Sequence, residues 1–212
     1  GGSGAPPAGA AAPNAAATKK AEEEYKKKLA EIESKNKKIE GDNKAMNDAL
    51  ATGKTLFNNK DYAGALAEFD KGIALDAEQN VFWYFKGLSL FNRGVTRLNE
   101  SLSAKDDQAK ANALRDTAKS DFTEAIASAT KAITLLDASV TAAGAADAAK
   151  AAQNKTNKLA YQKVRADSAG LLGERFFDPV SAQAANADYV IMADLTDEAE
   201  QKKKILFKGA EA

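Results

Sequence analysis

The sequence predicts an all-α protein built largely from antiparallel helix hairpins, and three observations carry that prediction. Ala, Lys, Glu and Leu recur along the 212 residues while strand-like alternation of β-branched residues is nearly absent, which is the composition of helices. Apolar residues return at helical spacing from Tyr25 onward. Gly53 and Gly87, each inside a helical pattern, stand 34 residues apart, a separation that signals a structural repeat.

Residues 1–17 are rich in Gly, Ala and Pro and lack large apolar side chains, so ordering them would cost backbone entropy with no burial to offset it. They read as a flexible tether: either an expression scar or, preferred because the Ala/Pro run is long, the segment that follows a removed signal or lipoprotein peptide, with a lipid anchor upstream of Gly1. That reading places the protein in a bacterial envelope or outside the cell, with the cytoplasm as the alternative.

Residues 18–45 read as one long helix. Tyr25, Leu29, Ile32, Asn36, Ile39, Asn43, Met46 and Leu50 follow one another at alternating steps of four and three, the heptad of a helix that packs against another helix. Buried Asn at such a seam can fix register and partner number. The plainer reading is a solvated helix with one weak stripe, interrupted near Gly41-Asp42-Asn43.

Residues 46–212 read as the repeat domain. Its first unit is Ala49-x-x-x-Gly53-x-x-Leu56-Phe57, a polar turn Asn58 to Asp61, then Tyr62-x-x-Ala65-Leu66-x-x-Phe69-x-Lys71-Gly72-Ile73-x-Leu75-Asp76. The second opens with Trp83-x-x-x-Gly87-x-x-Leu90-Phe91-x-x-Gly94. Its second helix resumes only after an insertion of about 26 residues, at Asp121-Phe122-Thr123-Glu124-Ala125-Ile126 and Lys131-Ala132-Ile133-x-Leu135. This unit is therefore enlarged, with a new tip at Lys105-Asp106-Asp107-Gln108. After an Ala-rich connector from Ala138 to Ala152 comes a degraded third unit: Gly170, the turn Phe176-Phe177-Asp178-Pro179, and a helix from Ala182 to Met192. An amphipathic helix bearing Ile205, Leu206 and Phe207 closes the chain.

These units resemble the tetratricopeptide (TPR) repeat: Gly in the first helix, an aromatic after the turn, a small residue in the second helix, and an apolar run ending in an acidic residue. The resemblance implies a TPR-like solenoid of about three repeats preceded by the heptad-patterned helix. It implies a concave face lined by the first helices, where TPR domains bind extended or helical segments; the inward positions would be Leu50, Lys54 and Phe57, then Val81, Tyr84, Leu88, Phe91 and Asn92. That surface is apolar and lacks the Lys/Asn/Arg clamp for a C-terminal carboxylate; Lys54 and Asn92 are isolated matches. Gly53, Ala65, Gly72, Gly87, Ala125 and Ala132 read as helix crossings, and Tyr62, Phe69 and Phe122 as core.

Function classes are narrowed by what is missing. There is no cysteine and no histidine, which removes disulfides, thiol nucleophiles, imidazole bases and the usual zinc ligand sets. Thirty basic residues balance thirty acidic ones, so no net field favours nucleic acid. No window approaches the roughly 20 apolar residues of a membrane span. Thr52-Gly53-Lys54-Thr55 imitates a phosphate-binding loop, but the Gly that such a loop needs five residues earlier is Asp48. Asn99 and Asn154 fit the N-glycosylation pattern, at a frequency expected by chance.

The sequence thus predicts a non-enzymatic scaffold with no cofactor, metal or nucleic acid, whose partner is a protein or peptide helix in the apolar groove. The alternative is self-assembly into an oligomer or filament through the incomplete ends, with Tyr25, Leu29, Ile32 and Ile39 at one edge and Ile205, Leu206 and Phe207 at the other.

Overall fold

The computed structural model describes residues 15–143 and 148–211, and among these the protein is all-α. The helices are α1 (Ala15–Asn58), α2 (Tyr62–Leu75), α3 (Asn80–Ser103), α4 (Gln108–Ala143), α5 (Ala148–Phe176), α6 (Pro179–Leu195) and α7 (Ala199–Glu211). No helix among the described residues is long and apolar enough to cross a membrane. Residues 1–14 of the expected tether lie outside the described residues, whereas 15–17 belong to α1.

The starts of α2, α4 and α6 fall where an aspartate can satisfy the free N–H groups of a first turn. Asp61 accepts from Gly64 N at 2.9 Å and starts α2. Asp107 accepts from Lys110 N at 2.9 Å beside the start of α4. Asp178 accepts from Val180 N at 3.1 Å, with Pro179 in the first turn of α6. The Asp178 carboxyl is held below its usual value by the Ser181 hydroxyl and by these backbone donors.

The chain divides into two units between Lys44 and Ala45. The described part of the first is a single helical run. The interruption near Gly41 that belonged to the plainer of the two readings does not occur: α1 continues unbroken to Asn58, because one exposed Gly costs a helix only about 1 kcal/mol. The predicted long helix and the first helix of the repeat domain are therefore one element, and the boundary expected after residue 45 lies inside it.

In the second unit consecutive helices pack on one another from α2 to α7, and α3 also touches α5. Pairings run in opposite senses: Gly87 lies against Ala125 and Ala129, Gly94 against Phe122, and Leu98 clusters with Ala118, so α3 and α4 are antiparallel. Likewise Gln162 meets Asp188 while Gly173 meets Ala182, which makes α5 and α6 antiparallel. The Ala-rich connector is a correction to the sequence reading, since α4 runs through Ala143 and α5 starts at Ala148; residues 144–147 lie outside the described set. Alanine is the best helix former, so an Ala-rich run extends helices more readily than it interrupts them.

Small residues set the helix crossings. A Cβ on Gly53 would lie 2.5 Å from Phe69 and one on Gly72 would lie 2.2 Å from Phe82. Ala65, Ala125 and Ala132 are fully buried, as are Phe69 and Phe122. Tyr62 is only half-buried and packs its ring against Phe57, with centroids 5.6 Å apart.

Candidate functional site

The first helices of the predicted repeats meet where α3 crosses α5. Tyr84 of α3 stacks on Tyr161 of α5 with centroids 4.6 Å apart, and the Tyr161 hydroxyl donates to Asn80 Oδ1 at 2.7 Å. Burial, with a smaller contribution from Tyr84, pushes the Tyr161 hydroxyl up to about 12. Burial alone raises that of Tyr84.

The eight predicted groove residues have different surroundings. Leu50, Val81 and Phe57 pack against the cluster around Phe69 and Phe82. Tyr84 is covered by Tyr161 and is not an open groove position; the third unit's own helix occupies it. Lys54 is exposed, with its ammonium 4.8 Å over the Phe85 ring, and Asn92 donates to its own helix at Leu88 O. Leu88 is half-buried. Phe91 is the predicted residue that reaches an open cleft.

That cleft, of about 270 Å³, is lined by Phe91 of α3, Asp167, Gly170, Leu171 and Glu174 of α5, Tyr189 of α6 and Lys208 of α7. Its lining combines the apolar and aromatic Phe91, Leu171 and Tyr189 with the exposed charges of Glu174 and Lys208 and the largely buried Asp167. Asp167 anchors one side: Tyr189 Oη and Lys208 Nζ each donate to Oδ1 at 2.6 Å, and Lys163 donates to Oδ2. Burial would raise the Asp167 carboxyl, but the hydrogen bonds from Lys163, Lys208 and Tyr189 outweigh it and hold the carboxyl below its usual value. The Tyr189 hydroxyl is pushed well up by burial and by donation to Asp167. This hub ties α5, α6 and α7 together around the cleft, and its acceptor oxygens are already engaged. Among the described residues, no group of three or more Asp, Glu, His or Cys is gathered to hold a metal ion.

Two further carboxylates were not singled out by the sequence reading. Asp121, 2% exposed, is held by Arg93 and by Arg97 at 2.6 Å each. Asp188 is held by Arg165 at 2.6 Å and accepts from Gln162 Nε2 at 2.9 Å. A sequence signal was present: Asp121-Phe122 and Asp188-Tyr189 repeat an Asp-aromatic pair in which the acid meets a cation of the preceding helix and the ring enters the core. Both pairs orient the hairpins that carry the cleft walls.

The edge residues are also sorted. Tyr25, Leu29, Ile32 and Ile39 are exposed at 64%, 41%, 53% and 56%. At the other end Phe207 and Leu206 face outward, but Ile205 turns in against the cluster of Ala166, Ala169, Ala185, Tyr189 and Met192, so it is a core contact and not an open edge. Asn99 and Asn154 lie within helices α3 and α5, and the hydroxyl of the first pattern, Ser101, is buried and donates to Leu98 O at 2.6 Å.

No family model, no curated protein and no solved structure matches this chain.

Proposed function

We propose that this chain is a non-enzymatic helical-repeat scaffold of the TPR type, which binds a polypeptide helix on the face where α3, α5 and α7 converge. The supporting observation is the cleft at Phe91. Apolar lining from Phe91, Leu171 and Tyr189 beside the exposed Glu174 and Lys208 suits an apolar anchor side chain flanked by charged neighbours, the pattern of an amphipathic helix in a groove. The Ala/Pro-rich run before α1 suits a domain held away from an anchor, as in an exported envelope protein.

Selection of a displayed helical-peptide library on the intact protein, followed by NMR mapping, tests this reading. Bound peptide is expected to shift the resonances of Phe91, Leu171 and Tyr189 and to be weakened by Glu174→Arg, an exposed rim change. Perturbations confined to other faces, or no enrichment of any helix, would refute it. The double change of Tyr84 and Phe91 to Glu would be a poor probe, because both rings pack within the fold.

Self-association is a second reading, favoured by the uncovered apolar stripe of α1 and by Leu206 and Phe207 at the opposite end of the chain. Sedimentation across a range of concentrations separates a monomer from a growing assembly.

A further inference from the structure

The described residues of the first unit form a helix whose apolar stripe is uncovered, and the residues beside that stripe state what covers it. Written as heptads, the d positions are Tyr25, Ile32 and Ile39, and the a positions are Leu29, Asn36 and Asn43. The register continues to Met46 and Leu50, but there both side chains pack against the Phe69 and Phe82 cluster of the second unit. The same stripe is thus occupied from Met46 onward and open before it.

The flanking positions carry Lys28, Lys35 and Asp42 at g, and Lys26, Glu33 and Glu40 at e. These positions set partner choice and orientation in coiled coils. In a parallel, in-register pair each g residue meets the e residue of the next heptad on the other chain. That places Lys28 beside Glu33 and Lys35 beside Glu40, on both sides, with no like charges opposed. The antiparallel arrangement that keeps the stripe paired centres on Ser34 and opposes g to g and e to e. It sets Lys35 against Lys35 and Glu33 against Glu33; it also brings Lys28 to Asp42 and Lys26 to Glu40, so its attractive pairs are offset by two like-charged ones, whereas the parallel pair has none.

The asparagines choose the same orientation independently. Parallel chains bring Asn36 to Asn36 and Asn43 to Asn43, where one side-chain amide can donate to the other. Antiparallel chains pack a against d, which would bury Asn36 against Ile32 with its hydrogen bonds unmade, a cost of roughly 1–3 kcal/mol per group. We infer that the helix of residues 25–43 pairs with the same helix of a second copy, parallel and in register, to make a two-stranded coiled coil. Leu29 at a with Ile32 and Ile39 at d would by themselves pull toward three or four strands, but asparagine at two of the three a positions favours two strands, and it keeps the association weak and reversible. Such a pair has twofold symmetry and closes on itself, unlike the open filament that head-to-tail contact between the chain ends would build. It presents two clefts from one assembly and does not depend on what the cleft binds.

Sedimentation of the full chain at several concentrations tests the inference. The wild type is expected to pass reversibly from monomer to dimer and stop there. Ile32→Lys is expected to weaken dimerisation by more than about a hundredfold, because an apolar contact is lost from both chains at once. Thermal unfolding of that variant followed by circular dichroism checks that the repeat domain is intact, and Glu174→Arg should leave the dimer unchanged. Because the chain has no cysteine, Asn43→Cys should yield a disulfide-linked dimer on mild oxidation. Exchanging Glu33→Lys with Glu40→Lys should weaken pairing, and adding Lys28→Glu with Lys35→Glu should restore it. A monomer at every concentration, three or more chains per assembly, a dimer indifferent to Ile32→Lys, or cross-linking of Asn43→Cys only to a Tyr25→Cys partner would overturn the inference.

Discussion

Arg93 and Asp121, 28 residues apart, join α3 to α4 through three hydrogen bonds, Nη2 to Oδ1 at 2.6 Å, and Nε to Oδ2 at 3.1 Å and to Oδ1 at 3.2 Å. Arg97 adds a fourth from the next turn of α3 to Oδ2 at 2.6 Å. The acid is 2% exposed and the two arginine side chains are 26% and 30% exposed, so the partners differ in what they can do when abandoned. Removing Asp121 leaves cations that can turn to water. Removing both arginines leaves a buried carboxylate alone.

The expected order follows from that asymmetry. Arg93→Ala with Arg97→Ala should cost about 3–5 kcal/mol, the range for stranding a buried charge, and Asp121→Ala should cost less. Urea unfolding of the two variants measures it, and a larger loss for Asp121→Ala would contradict the asymmetry.

Two glycines should respond oppositely to the same substitution. Gly41 is helical with nothing within 4 Å of an added Cβ, so Gly41→Ala should stabilise α1 by about 0.5–1 kcal/mol through backbone entropy. Gly72 has the Phe82 ring at 2.2 Å, and Phe82 is itself 2% exposed, so the ring has nowhere to go. Gly72→Ala should destabilise by about 1–3 kcal/mol or more. Helicity and chemical denaturation curves report the two effects.

Alkaline pH should loosen the α3–α5 contact. Tyr161 is raised from 10.0 to about 12 in the folded protein, so its contribution is fully present below pH 10 and is lost as the pH rises through about 12. The raised hydroxyls of Tyr84 and Tyr189 act in the same direction. At the acid end the lowered Asp167 works the other way: its contribution is present above the ordinary carboxylate value of 3.8 and disappears as the pH falls below it. Stability measured against pH should therefore fall at both extremes, Tyr161→Phe flattening the alkaline limb and Asp167→Asn the acid one.

Phe177 occupies the tight α5–α6 turn with φ 57° and is 86% exposed. A non-glycine residue in the left-handed region costs of order 1 kcal/mol, and here almost no burial offsets it. Phe177→Gly should raise stability by up to about 1 kcal/mol in thermal or urea unfolding; a loss would show that the ring makes a contact worth more than the strain.

The helical class, the small residue at the Gly53 crossing and the turns that hold Asp61, Asp107 and Asp178 were legible because they depend on local rules: helix propensity, polar turn residues, and small residues at spacing set by the helix itself. The open stripe of α1 was equally legible, since a heptad is a property of one chain. Continuity of α1 was not, because a Gly-Asp-Asn run signals a break only if neighbouring turns fail to carry it. The cleft was legible at Phe91 alone. Its remaining walls come from α5, α6 and α7, and the covering of Tyr84 by Tyr161 joins residues far apart in sequence whose meeting depends on how α3 crosses α5. Periodicity names the face that a side chain occupies on its own helix; only the packing of the other helices decides whether that face is filled, open or turned into a charged rim.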